Sequence, residues 1–363
     1  MTVDSMRSIK VILVGCGAVS QYQYAPALRA LERTGELKVA ALVDPAERQR
    51  TSLLEIFPHA SSVADLKDCQ IDSSTLVIVA SPPKWHAEQT IFGLQHGATV
   101  LCEKPMAANS EEAETMLRTS RESGSLLAVG LFRRFFPAAE MIKSLIDNKP
   151  FGALQNFTIQ EGEKFGWGAA SDSYFRRGVT YGGVLYDIGV HVLDLLIWWF
   201  GEPASFDYQD DAMGGIEANC LLDLSYSGGV SGNVRLSRDW ETRNSYTFYF
   251  EKGTVVFEAG YANRLNVLPT GTPLMLSGEL VEESMRHTLV KQPTRTNLQS
   301  FIEQIKNIVA AIKFGEPLRV PGEEGIRSLR LIEQCYANRT LMEMSWLDAD
   351  EQTAAKALVT AHT

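Results

Sequence analysis

The sequence predicts an α/β protein whose N-terminal part is a doubly wound parallel sheet and whose C-terminal part is an α+β domain with a large, mostly antiparallel open sheet. Three observations carry this expectation. Between Lys10 and Gly130, short β-branched apolar runs alternate with amphipathic stretches of helical period, the pattern of strands covered on both faces. After Pro137 the rhythm changes to alternating strands joined by "SGG" and "EKG" turns, which read as hairpins. The first apolar run also leads straight into "VGCGAV", two glycines at a strand-to-helix junction.

In chain order, the first five strands are expected in "KVILVG" at 10–15, "LKVAALVD" at 37–44, "STLVIVAS" at 74–81, "ATVLCEKP" at 98–105 and "SLLAVGL" at 125–131. Helices are expected over about 20–34, 46–55, 84–95 and 110–123, the last opened by Ser110 and "EEAE". A short helix near 138–147 and the strand "LQNFTIQEGE" follow. Next come a Gly/Ser/Asp-rich loop, the apolar helix "GGVLYDIGVHVLDLLIWWFG" and the strands "EANCLLDLSY", "GGVSGNVRLS" and "SYTFYFEKGTVVFEA". Helices near 296–313 and 322–338 close the pattern. The expected domains are 1–130 for nucleotide binding, 131–345 for substrate binding and oligomerisation, its last helices packing back on the first, and 346–363 as a C-terminal tail.

Composition narrows the function. With 363 residues, 45% of them hydrophobic, the chain has material for two packed cores. A net charge of −10 with no Lys/Arg-rich block argues against nucleic acid and against an anionic membrane surface. Cys16, Cys69, Cys102, Cys220 and Cys335 show no metal-ligand or disulfide spacing, so no metal is expected and a reducing cytoplasm is. "MTVDSMRSIK" has no apolar run, so a secretory signal is not expected there. The apolar helix carries Asp187, His191 and Asp194, and each carboxylate at a bilayer centre would cost about 2.5 to 3.5 kcal/mol. It reads as a buried helix rather than a membrane span.

The turn Gly15, Cys16, Gly17, Ala18, Val19 is the candidate nucleotide site, in the Rossmann manner. Gly15 would make the tight turn, Gly17 would let a pyrophosphate approach the backbone, and free N–H groups at the helix start would bind it. Ser20 occupies the place of the usual third glycine. Asp44, ending the second strand, would take the adenosine ribose hydroxyls. An acid followed by Pro45 with no Arg directly after it favours NAD, while Arg48 keeps NADP as the alternative.

Two further segments carry chemistry. "CEKP" puts Glu103, Lys104 and Pro105 at the carboxyl end of the fourth apolar run, the edge where open α/β sheets bind ligands. On an ideal helix Asp187, His191 and Asp194 fall within an arc of about 60°, one polar stripe on an apolar surface. A core histidine held by its neighbouring aspartate would give the same stripe, and one His with two Asp rarely completes a zinc site. Hydride exchange with a secondary alcohol or ketone needs one group to move the hydroxyl proton and another to hold the oxygen as charge develops. His191 titrates in the right range, Asp187 could orient its ring, and Lys104 could donate to the oxygen.

With "VGCGAV", "VDP", "ASPPKWHAE", "ATVLCEKPMA", "FRRFFP" and "GGVLYDIGVHVLDLL" in this order, the chain resembles the Gfo/Idh/MocA family over most of its length. The resemblance implies that Gly15, Gly17, Val19, Asp44, Ser81, His86, Glu103 and Lys104 bind the cofactor. Lys104 would be the catalytic lysine, and Asp187 and His191 would line the substrate pocket, His191 acting on the proton. It implies NAD or NADP as cofactor, a sugar, inositol or related polyol as substrate, and a homodimer or homotetramer. Family members can also oxidise a sugar transiently to drive glycosidic cleavage or elimination. A catalytically silent dinucleotide-binding sensor is the third reading, and it would be expected to lack Lys104 or His191. In the loop "EKFGWGAASDSYFRR", Trp167, Tyr174 and Arg176 could stack on or hydrogen-bond a sugar, or simply pack the loop. The role of Asp194 stays open.

Overall fold

The structure, a computed structural model, describes residues 8–164, 166, 180–280 and 297–360. It divides into two compact units: one holds the chain up to Phe132 and Asn297–Arg330, the other holds 133–164, 182–280 and the chain from Leu331.

The first unit is built on a six-stranded sheet of β1 (Ile9–Val14), β2 (Leu37–Val43), β3 (Ser61–Val63), β4 (Thr75–Val79), β5 (Thr99–Cys102) and β6 (Leu127–Val129). Its order is β3-β2-β1-β4-β5-β6 and every pairing is parallel, the doubly wound arrangement that the alternating runs predict. β3 has no counterpart in the sequence reading, because three half-polar residues make no apolar pattern. Helices α1 (Ala25–Arg33), α2 (Glu47–Leu54), α3 (His86–Gln95) and α4 (Ser110–Ser123) connect the strands. α4 starts where its side chains require: Asn109 accepts the Glu112 N–H, Glu112 accepts the Ala108 N–H, and Gly124 ends the helix at φ 68°. α7 (Asn297–Phe314) belongs to this unit as well. Its Phe301, Ile305, Ile308 and Val309 join Tyr24, Leu28 and Leu31 in one core, with Phe301 edge-on to Tyr24 and stacked on Phe132.

The second unit carries a nine-stranded sheet. Its strands are β7 (Leu154–Gly162), β8 (Ser205–Asp210), β9 (Asn219–Ser225), β10 (Ser231–Ser237), β11 (Ser245–Phe250), β12 (Gly253–Glu258), β13 (Arg264–Pro269), β14 (Leu276–Glu279) and β15 (Thr340–Leu341). The order is β14-β13-β12-β11-β7-β10-β9-β8-β15. The pairings are antiparallel except β10 with β7 and β15 with β8. The helices are α5 (Pro137–Asn148), α6 (Val190–Phe200), the end of α8 (Gly322–Ala337) and α9 (Ala349–Thr360). Residues 346–363, set apart as a tail, thus include a helix. Asp348 explains its start: the carboxylate accepts the N–H groups of Asp350 and Glu351 while Glu351 accepts the Asp348 N–H.

The apolar stretch departs from the single regular helix expected. Leu185–Gly189 forms a π-helical turn and only then does α6 begin, so the ideal spacing of 100° per residue fails between Asp187 and Asp194. Asp194 is buried and forks with the guanidinium of Arg134 at 2.6 to 3.1 Å, tying α6 to the "FRRFFP" segment. Arg133 next to it binds Glu161 and the Tyr246 hydroxyl. Trp199 donates its indole N–H to the Ala139 carbonyl. Among the described residues, no helix is long and apolar enough to cross a membrane.

Removing one partner of a buried ion pair strands the other charge. Asp194→Asn should therefore lower unfolding stability by about 3 to 5 kcal/mol, read as a fall in the denaturant midpoint at unchanged slope.

Candidate active site

In the first unit the residues singled out by sequence converge at the carboxyl ends of β1, β2, β4 and β5. Gly15 turns the chain at φ 86°, and a Cβ there would stand 2.5 Å from the Ser81 nitrogen and 2.6 Å from the Ala80 carbonyl carbon. Only glycine tolerates both the left-handed backbone and this approach. Around Gly17 an added Cβ would meet no atom within 4 Å, so the backbone faces open space on that side, with Ala18 and Val19 half-buried after it. The residue replacing the third glycine has its own work: the buried Ser20 hydroxyl donates to the Gly15 carbonyl at 2.5 Å. It fastens the turn to the π-helical turn Ser20–Tyr24 that precedes α1.

Asp44 faces this turn. Its carboxylate accepts the Cys16 N–H and the Ala46 N–H, both at 2.8 Å, and the Arg50 guanidinium donates to its backbone carbonyl. The thiol of Cys16 is buried against the Val43 carbonyl, and burial pushes it up to about 12, so it stays protonated. These residues fit a dinucleotide: a turn that admits no side chain, an open glycine and an oriented carboxylate at the end of β2.

Ser81 donates to Gln89 at 2.6 Å. His86, buried, sets its ring nitrogens 2.7 Å from the Ser81 carbonyl and 2.8 Å from the Pro105 carbonyl. It thereby links the loop after β4 to the loop after β5, and burial lowers the affinity of its ring for a second proton. Glu103 is buried as well. It accepts the Tyr24 hydroxyl at 2.6 Å and the Lys104 N–H at 3.0 Å, which fixes the backbone from which the half-buried Lys104 side chain leaves.

In the second unit Asp187 lies in the π-helical turn and His191 is buried at the start of α6. The expectation that Asp187 serves His191 left out its partner in the structure, the guanidinium of Arg238 just past β10. No spacing rule pointed to Arg238, since only the sheet brings it to Asp187. Trp167, Tyr174 and Arg176 lie outside the described residues. Among the described residues there is no cluster of three or more His, Cys, Asp or Glu that could hold a metal.

Burial raises the Glu103 carboxyl above its ordinary range, against the lowering effect of Tyr24 and Lys104. The folded protein thus keeps a proton that the unfolded chain releases, so this stabilisation is present at low pH and is lost as pH rises through the folded value. Glu103→Gln should gain stability relative to the parent over that window, measured by urea unfolding from about pH 4 to about pH 8.

Comparison with known proteins places the chain in a family. Residues 9–131 match the family described as oxidoreductase, NAD-binding Rossmann fold, and residues 139–256 match the Gfo/Idh/MocA C-terminal domain. A D-glucoside 3-dehydrogenase of Escherichia coli (strain K12) is 28% identical over 54% of this chain and 55% of its own length. A scyllo-inositol 2-dehydrogenase (NADP(+)) of Bacillus subtilis (strain 168) is 31% identical over 54% and 53%. The chain thus spans about half the length of these two relatives. A trans-1,2-dihydrobenzene-1,2-diol dehydrogenase of Sus scrofa is 25% identical over 84% of this chain and 88% of its own. Among solved structures, levoglucosan dehydrogenase in complex with NADH and levoglucosan superposes with a TM-score of 0.80 at 16% identity, covering 92% of this chain and 97% of that one, a likeness of fold. With family matches over more than half its residues, the chain belongs to the Gfo/Idh/MocA oxidoreductases and carries their NAD-binding Rossmann domain.

Proposed function

We propose that this chain is an NAD(P)-dependent oxidoreductase that moves a hydride between nicotinamide and a secondary alcohol or ketone of a sugar, inositol or related polyol. NAD is the favoured cofactor and NADP the alternative. The observation that carries the reading is Glu103 and Lys104 at the carboxyl end of β5: a buried acid locked by Tyr24 holds the backbone of a lysine on the same sheet edge as a turn shaped for a dinucleotide. A merely solvated loop would not bury Glu103. The names of the D-glucoside and scyllo-inositol relatives support the substrate class.

The N–H groups of Gly17, Ala18 and Val19 at the helix start would hold the pyrophosphate and Asp44 the ribose hydroxyls. When bound, the nicotinamide supplies the carbon that gives or takes the hydride. The Lys104 ammonium donates to the substrate oxygen, favouring the negative charge that develops there. His191 accepts the hydroxyl proton in oxidation and returns it in reduction, and Asp187, steadied by Arg238, orients the His191 ring. Five free thiols support a reducing, cytoplasmic setting, and the open nine-stranded sheet supports assembly as a homodimer or homotetramer.

A screen of sugars and inositols against NAD and NADP, read at the nicotinamide absorbance, tests the reading. Reduction with at least one polyol is expected; no turnover together with no NADH binding by fluorescence would overturn it. Lys104→Ala should lower kcat by about 10²- to 10⁴-fold while NADH affinity stays close to that of the parent. Near-normal turnover in this variant would remove Lys104 from the chemistry.

A further inference from the structure

The segment carrying Asp187 and His191 begins with N–H groups that no residue of its own helix can accept. No side chain caps it locally, since Val184 stands at the cap position. The acceptors come instead from Glu217, two residues before β9. Its backbone carbonyl accepts the Val184 N–H at 3.0 Å, and its Oε1 accepts the N–H groups of Gly183 and Leu185, each at 3.0 Å. Three successive N–H groups are thus met by one residue.

This arrangement accounts for the paired glycines that open the segment. A Cβ on Gly183 would strike the Glu217 backbone, and one on Gly182 would strike the Tyr336 hydroxyl. Tyr336 in turn donates to Glu217 Oε1 at 2.7 Å, and the Arg339 guanidinium lies 3.7 Å from Oε2 while binding the buried Asp210 at 2.7 Å. The next residue works on the same target from the other side. Ala218 accepts the Arg238 N–H at 2.8 Å, and the guanidinium of Arg238 holds Asp187. Asp211 accepts the Ala218 and Asn219 N–H groups, which fixes the stretch that does both.

We propose that Glu217 is a positioning residue for Asp187 and His191, anchoring the turn that carries them, and that the C-terminal stretch Tyr336–Arg339 holds this anchor in place. The proposal rests on the reading of Asp187 and His191 as substrate-side groups. Glu217 touches neither reacting atoms nor cofactor in this scheme; it sets the backbone from which the reacting side chains project. Truncation should cost kcat more than KM, because orientation at the reacting centre matters most in the transition state.

The experiment is amide hydrogen exchange on the full chain, read by mass spectrometry over residues 183–191, with initial rates measured on scyllo-inositol and methyl β-D-glucoside as probes. Glu217→Ala should raise exchange at 183–185 by about tenfold or more, leave the β11–β12 hairpin unchanged, and lower kcat while NADH affinity holds. Glu217→Gln keeps an amide oxygen for the N–H groups and should restore both protection and turnover. Parent-like exchange in Glu217→Ala, or equal loosening across the whole sheet, overturns the proposal. So does a Glu217→Gln that is no better than Glu217→Ala. Should Glu217→Ala fail to fold, Tyr336→Phe decides: a smaller rise at the same amides is expected, and none overturns it. His191→Asn separates the two claims. Full turnover in His191→Asn overturns the reading of the site, whereas lost turnover there with parent-like exchange in Glu217→Ala overturns the positioning role alone.

Discussion

Everything assembled at the nucleotide end of the first unit depends on how closely the turn after β1 lies against the end of β4. The contact leaves no room for a Cβ on Gly15, so backbone meets backbone at the point where the sheet reverses its winding. From there each strand end has a fixed place. The Ser20 hydroxyl closes the turn, Asp44 reaches back from β2 to the Cys16 N–H, and His86 spans from the Ser81 loop to the Pro105 loop. A side chain at Gly15 would separate β1 from β4 and disturb each of these bonds in turn. The site is therefore a product of sheet packing: Ser20, Asp44 and His86 are oriented by backbone groups, while Glu103 and Ser81 are also held by the side chains of Tyr24 and Gln89.

The second unit uses charge differently. Its carboxylates sit where apolar neighbours make an unpaired charge costly, and arginines answer several of them: Arg134 for Asp194, Arg133 for Glu161, Arg238 for Asp187 and Arg339 for Asp210. An arginine fork matches a carboxylate with two donors in fixed geometry, which a lysine cannot do. The apolar helix can thus carry two aspartates with separate duties. Asp194 is wholly inside and locks α6 to a neighbouring segment, while Asp187, on the irregular turn, keeps part of its surface accessible.

Much of this was legible in the residue order. β1, β2, β4, β5 and β6 are legible because strands buried on both faces are nearly continuous apolar runs, and "VGCGAV" because a glycine turn between strand and helix has few alternatives. β8, β13 and β14 were not legible: partly exposed strands of mixed polarity, such as "SFDYQD", have no run to recognise. The stripe of Asp187, His191 and Asp194 follows from regular helix geometry, and a π-helical turn, invisible in the sequence, changes the spacing. Arg238 and Glu217 escaped for a deeper reason. Each acts on residues tens of positions away along the chain, and only sheet register brings them there. Ser20 was legible as a departure but not as a donor.

The place of α7 has a consequence for how the protein comes into being. Phe301, Ile305 and Ile308 fill the same core as Tyr24 and Leu28, although more than 260 residues separate them in the chain. A ribosome delivers β1 through β6 long before it delivers α7, and domains generally fold as units during synthesis. The nascent nucleotide-binding sheet must therefore wait, with an apolar face open, until nearly the whole of the second unit has been made. An apolar face left open for that interval is a site for aggregation, and the net negative charge of the finished chain is no protection for a face that is not yet covered.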